Sequence, residues 1–264
     1  MYRQHFGITA CPLDKGNKDL FNSGQQELLA SRFKWLIDSP GIGVLTGEAG
    51  VGKTAALRNL TTELNPHCYK VIYSPDTDCS PRDFYRDLAM TLGLEPAYRR
   101  TQLWRDIKDC IIDLVDNKRI QPVWIIDEAQ NLPTQFFRDL PAFLNYAFDS
   151  RDMLTVWLVG MPQLNHLLSR TPNAALASRI HTRVHMVPEQ SFESFKALIT
   201  HGFEAVGCSQ ILLSDSGLEL LRQASQGKPR QAGQLLKTAL RLAAGKGMNH
   251  LSDDLIHEAV NGLQ

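Results

Sequence analysis

Eight residues constrain this chain more than any other stretch: Gly47-Glu48-Ala49-Gly50-Val51-Gly52-Lys53-Thr54. The glycines let the backbone curl so that successive N–H groups point inward around an anion. Lys53 sets a positive charge against the β- and γ-phosphates of a nucleotide, and the Thr54 hydroxyl is suited to ligate Mg²⁺. The apolar run Ile42 to Thr46 precedes the loop as a buried strand, and a helix follows from about Lys53 to Leu64. That helix presents the positive end of its dipole to the same anion. Strand, glycine loop and helix in this order commit the chain to an α/β architecture.

The rest of the chain continues the alternation. Strands are expected at Tyr69 to Ser74, Val123 to Ile126, Leu154 to Val159 and Arg183 to Val187. Between them, helices are expected from Ser80-Pro81 to about Leu92, from about Thr101 to Asp116, and from Pro133 to about Phe148. Ser80 has the chemistry of an N-cap, with proline at the first helical position. After Pro188 no convincing strand remains, and four helices are expected: Ser191 to Val206, Ser214 to Ser225, Pro229 to Ala244 and Ser252 to Asn261. The fold class is therefore α/β, a parallel five-stranded sheet flanked by helices with a small C-terminal helical lid domain. The expected boundaries are 1–188 for the nucleotide-binding domain and 189–264 for the helical lid domain.

A second motif matches the first. Val123-Trp124-Ile125-Ile126-Asp127-Glu128 is an apolar strand that ends in two carboxylates. Asp127 would hold Mg²⁺ together with Thr54, and Glu128 would orient and polarise an attacking water as general base. A third is Gly227-Lys228-Pro229-Arg230, which opens a helix in the C-terminal region. Lys+Arg and Asp+Glu both number 28, so any nucleic-acid contact must come from a local basic patch. The five cysteines are odd in number and widely spaced, and none stands at zinc-ligand spacing, which fits buried reduced thiols. The N-terminus lacks the apolar segment of a signal peptide, and no stretch is long and apolar enough to span a membrane; a cytoplasmic protein without membrane contact is expected. His181 and His185 straddle a strand start and are not read as metal ligands, and Trp104 and Trp124 are read as core.

The order of these motifs resembles the AAA+ ATPase family. The resemblance implies ATP and Mg²⁺ as cofactors, with Gly47 through Thr54 and Asp127 around the nucleotide. By the same likeness Arg230 is the sensor 2 arginine that reaches from the lid to the γ-phosphate. The family's arginine finger lies after the fourth strand and acts on a neighbouring subunit's ATP. Arg179 and Arg183 are both candidates here, with Arg179 favoured and Arg183 read as a structural residue. Sensor 1 falls in Gly160-Met161-Pro162-Gln163-Leu164, where Met161 occupies the place of the family's polar residue and Gln163 is a substitute.

Within that family, Met1-Tyr2-x-x-x-Phe6-Gly7-Ile8, Ser23-Gly24-Gln25-Gln26-Glu27 and Asp127-Glu128-Ala129-Gln130-Asn131-Leu132 resemble the ExeA/GspA-like branch. A chain with neither the membrane anchor nor the peptidoglycan-binding region of the secretion members is expected, and on that expectation it resembles more the transposon-encoded helpers of the TniB, TnsC and MuB kind. That likeness implies a DNA-binding ATPase that forms a homo-oligomeric ring or helical filament on double-stranded DNA and recruits or stimulates a transposase. Arg99 and Arg100 are the expected DNA contacts, with Arg105, Lys108, Lys118, Arg119 and Arg138 as further candidates. The alternatives are an ExeA-like secretion or assembly ATPase and a replication-initiator or helicase-loader ATPase.

Overall fold

The computed structural model describes residues 2–17, 19–210 and 212–262. Met1 and Gln264, the outer bounds of the two expected domains, lie outside the described residues. Five strands, β1 (Ile42–Gly47), β2 (Tyr69–Ser74), β3 (Gln121–Ile126), β4 (Thr155–Gly160) and β5 (Ile180–Met186), form one parallel sheet in the order β2-β3-β4-β1-β5. Position in the sheet explains their sequences. β1 and β4 are buried at every residue, as strands with neighbours on both sides and covered faces must be. β5 is an edge strand and alternates: His181, Arg183 and His185 are exposed while Thr182, Val184 and Met186 are buried. It begins at Ile180, three residues before the expected Arg183, because its polar exposed face hides the apolar signal.

Contacts divide the chain into two compact units. The sheet unit comprises Gln25–Gly47 and Leu60–Met186, and the helical unit Met1–Gly24, Glu48–Asn59 and Val187–Gln264. In the sheet unit, α2 (Gly24–Asp38) buries Leu29, Phe33, Leu36 and Ile37, a helical stripe that runs ahead of β1. α4 (Pro81–Leu92) starts as expected, with Ser80 Oγ accepting from Asp83 N at 3.2 Å, and stops at Gly93 in the left-handed conformation. α4 and α6 (Thr134–Phe143) close an aromatic core in which Phe84, Tyr85, Phe136 and Phe143 surround Trp124. Trp124 is fully buried, and its Nε1 donates to Ser74 Oγ at 3.0 Å. Burying each such ring contributes roughly 1.5–3 kcal/mol.

Two helices differ from expectation. α5 (Arg100–Ile112) gives way to a wider π turn over Asp113–Asn117, where Lys118 N reaches back five residues to Asp113 O. α6 ends at Phe143, well short of Phe148. Lys108 Nζ donates to Ala142 O and Asn145 O at 3.1 and 2.9 Å, satisfying carbonyls that a longer helix would have bonded internally. Ala147, Phe148 and Asp149 then follow with positive φ. α7 (Gln163–Leu168) and α8 (Ala174–Ala177) complete this unit.

In the helical unit, α1 (Tyr2–Phe6), α9 (Phe192–Glu204), α10 (Asp215–Ser225), α11 (Pro229–Gly245) and α12 (Asp253–Asn261) share one apolar core around Phe195, Leu221, Leu236, Leu240 and Ile256. α3 (Lys53–Thr62) begins in this unit. Ser191 and Ser214 cap α9 and α10 by accepting from Ser194 N and Gly217 N. Of the five free thiols only Cys11 and Cys208 are buried, and Cys68 is exposed, which corrects the expectation that all are core. Burial pushes the Cys11 thiol up to about 11.

The turn from α10 to α11 depends on a glycine. Gly227 has φ +69, and a Cβ there would stand 2.4 Å from Glu189 O, while Glu189 N donates to Gly227 O. Gly227→Ala is therefore expected to destabilise the fold by on the order of 3 kcal/mol, combining a left-handed alanine with a backbone clash. A lowered urea midpoint at unchanged denaturant slope is the measurement that checks it.

Candidate functional site

The glycine loop curls as its sequence requires, with φ +89 at Gly50 and +104 at Gly52. Lys53 is 6% exposed, and its Nζ donates to Glu48 O at 3.0 Å, so the ammonium is folded back over the loop. The loop is held from α11 as well. Arg230 N donates to Gly50 O at 3.2 Å, and a Cβ on Gly50 would meet the Arg230 Cβ at 3.2 Å. Lys228 Nζ pairs with Glu48 Oε2 at 2.7 Å. The Gly227–Arg230 motif and the Gly47–Thr54 motif, far apart in sequence, thus meet within one unit. Arg230 is exposed there. Lys228 carries a contact that sequence reasoning assigned to no residue.

The carboxylate pair belongs to the sheet unit. Because all strands are parallel, the C-terminal ends of β1, β3 and β4 lie along one edge, with Thr46 opposite Gly160 and Ile126 opposite Leu158. Ligands of open α/β sheets bind along this edge. Asp127 is buried just past β3; its Oδ2 accepts from Tyr73 OH and its Oδ1 from Glu128 N, both at 2.9 Å. Glu128 is exposed, with left-handed backbone at φ 49, ψ 37. Thr77 Oγ1 donates to Glu128 O at 3.0 Å, and Gln130 Nε2 donates to Glu128 Oε2 at 2.7 Å. Tyr73, Thr77 and Gln130 were not assigned from sequence. Gln130 lies within the 127–132 motif, but its partner Met161 comes beside it only once β3 and β4 are paired.

At the end of β4, Gln163 is exposed, while Asn165 on α7 uses both ends of its amide. Its Nδ2 donates to Thr46 Oγ1 at 3.0 Å, and its Oδ1 accepts from Arg183 Nη1 at 3.3 Å. His185 Nδ1 shares the Thr46 hydroxyl at 3.0 Å, and His181 Nδ1 accepts from Ile42 N at 3.2 Å. Arg183 therefore sits along β5 beside Asn165, whereas Arg179 precedes β5 at the opposite edge of the sheet, where Ile180 is level with Ile42. Both Arg179 guanidinium nitrogens bind Asp149 at 2.6 Å. Both residues line a cavity of about 400 Å³, together with Tyr146, Asp152 and His181.

The expected DNA contacts stand at the start of α5. Arg99 is exposed, and Arg100 pairs with Asp139 at 2.7 Å while lying 4.3 Å over the Trp104 ring. Arg82 lies over the exposed ring of Tyr98 at 4.2 Å. Lys108 is committed to the end of α6, and burial lowers its pKa. Lys118 pairs with Asp113 at 2.7 Å.

A parallel sheet in this order, with a glycine loop after β1 and a carboxylate pair after β3, defines an α/β P-loop protein. The AAA domain family model matches residues 37–168, half of the chain, and the chain belongs to that family. It is 29% identical over 257 residues to "General secretion pathway protein A" of Aeromonas hydrophila, which covers 95% of this chain and 46% of that protein. The chain therefore spans less than half the length of that relative. Among solved structures it is similar to the Aeropyrum pernix ORC1 protein in complex with DNA, with TM-score 0.72 and 15% identity over 95% of this chain and 68% of that one. The Aeropyrum pernix ORC2 protein gives TM-score 0.70 and 18% identity over 98% and 71%. The Thermotoga maritima RuvB Holliday junction branch migration motor gives 0.58 and 19% over 90% and 67%. At these identities the structural likeness is one of fold. Among the described residues no helix is long and apolar enough to cross a membrane.

Proposed function

We propose that this protein is an ATPase that binds ATP with Mg²⁺, assembles through a second copy of itself and binds duplex DNA in the ATP state. The observation that carries the nucleotide reading is the meeting of Arg230 with Gly50, which brings a second cationic segment to the glycine loop. The loop N–H groups and Lys53 bind the phosphates, and Arg230 responds to the γ-phosphate. Magnesium held with a nucleotide keeps several waters and takes one or two protein ligands; the Thr54 hydroxyl and the Asp127 carboxylate are hard oxygen donors of that type. The ion, when bound, neutralises charge on the β- and γ-oxygens. Glu128 accepts the proton of the attacking water.

The sheet supports the self-association reading. Arg179 stands at the edge opposite the one where β1 ends in Gly47, so it serves a neighbouring copy's nucleotide better than its own. For the finer role we propose a transposition helper that recruits or stimulates a transposase from a ring or filament on DNA. The 29% identity to the Aeromonas secretion protein favours a second reading, in which the same ATP cycle drives assembly of a protein complex.

Binding to duplex DNA is expected to require ATP or a slowly hydrolysed analogue and to weaken steeply with salt. A neutral chain offers little affinity alone, but an oligomer that lines up Arg99 from successive copies multiplies a weak contact through effective concentration. Arg99→Ala is expected to cost more affinity than Arg100→Ala, because Arg100 must give up Asp139 to reach a phosphate. Fluorescence anisotropy on a labelled duplex across a salt series reads both affinity and slope. An oligomer that forms with ATP yet ignores duplex DNA at low salt would give the lead to the protein-assembly reading.

A further inference from the structure

The turn after β3 contains a side chain that bridges two parts of the sheet edge. Gln130 lies in the 3₁₀ turn Ala129–Asn131. Its Nε2 donates to Glu128 Oε2 at 2.7 Å, and its Oε1 accepts from the backbone N–H of Met161 at 3.0 Å. The partners fix the orientation of the amide, since a carboxylate only accepts and a backbone N–H only donates. The fit is tight on the β4 side: a Cβ on Gly160 would stand 2.2 Å from Gln130 Oε1. The backbone of Glu128 is already held, with its N–H on Asp127 Oδ1 and its carbonyl on Thr77 Oγ1. What remains free in Glu128 is its side-chain torsions, and the Gln130 amide grips the carboxylate at their end.

We propose that Gln130 is a positioning residue that sets the direction of the Glu128 carboxylate from the end of β4. It supplies at that edge the polar group that Met161 does not carry, and it links any shift at the end of β4 to the setting of the general base. The inference rests on the hydrolysis reading above and goes beyond it by naming the residue that governs Glu128. A base displaced by an ångström from its water loses rate without loss of substrate binding.

The experiment compares steady-state ATP hydrolysis by the full chain carrying Gln130→Ala, Gly160→Ala, Glu128→Gln, or Gln130→Ala with Glu128→Gln. Gly160→Ala displaces the Gln130 amide without removing any polar side chain. Gln130→Ala and Gly160→Ala are each expected to lower kcat roughly tenfold to hundredfold, with KM and melting temperature unchanged. Gln130→Ala is expected to add no loss in the Glu128→Gln background, because the two act through one carboxylate. Wild-type kcat in Gln130→Ala, an equal further loss in the Glu128→Gln background, or a defect confined to KM or melting temperature would each overturn the proposal. A wild-type protein that binds ATP without turning it over would instead overturn the hydrolysis reading on which the proposal stands.

Discussion

Lys53→Ala is expected to abolish ATP binding, while Glu128→Gln is expected to keep ATP bound and lose hydrolysis by about 10²–10⁴-fold. The two residues do separable work. Lys53 is nearly buried within its loop, and in the proposed site its ammonium offsets phosphate charge, so alanine is expected to remove a ground-state interaction. Glu128 is exposed past β3 and carries no positive charge for the phosphates. Glutamine keeps its shape and its reach while losing the capacity to take a proton. Isothermal titration with ATP and Mg²⁺, beside a phosphate-release assay on the same preparations, separates the two effects. Equal loss of affinity in both variants would contradict the assignment of Glu128 as base.

Mixing two inactive variants, Arg179→Ala and Glu128→Gln, is expected to restore part of the activity. An arginine supplied in trans contributes on the order of 10³-fold or more to phosphoryl transfer. A mixed assembly contains interfaces where one copy supplies an intact Glu128 and the next an intact Arg179. Wild-type activity per chain should for the same reason rise with protein concentration. The bidentate pair between Arg179 and Asp149 must open before the arginine can reach another copy. An exposed pair of this kind is worth about 1 kcal/mol or less, so it does not forbid the movement. If the Arg179→Ala mixture stays inactive while Arg183→Ala mixed with Glu128→Gln recovers, the finger is Arg183.

Much of this protein was legible in its sequence because the relevant signals are local. A glycine loop needs its glycines in one run, a buried central strand needs an unbroken apolar run, and Ser80, Ser191 and Ser214 announce helix starts through contacts three residues away. α2 was also within reach: Leu29, Phe33, Leu36 and Ile37 repeat at helical spacing. Edge strands were harder. β5 exposes every second residue, so its first three residues read as loop until β1 pairs with them.

Tertiary structure alone decided the rest. The end of α6 depends on Lys108, which reaches across from another helix to its final carbonyls. The surroundings of Asp127 and Glu128 depend on the strand order, which brings Tyr73 from β2 and Met161 after β4 to the edge where β3 ends. Gln130 and Asn165 owe their roles to amides that face two partners at once, and an amide side chain carries no sign in sequence of which groups it will meet. Hydrogen bonds of this kind join residues by distance in space. A chain read in order records its helices and strands through periodicity, but pairings between them exist only once the sheet has formed.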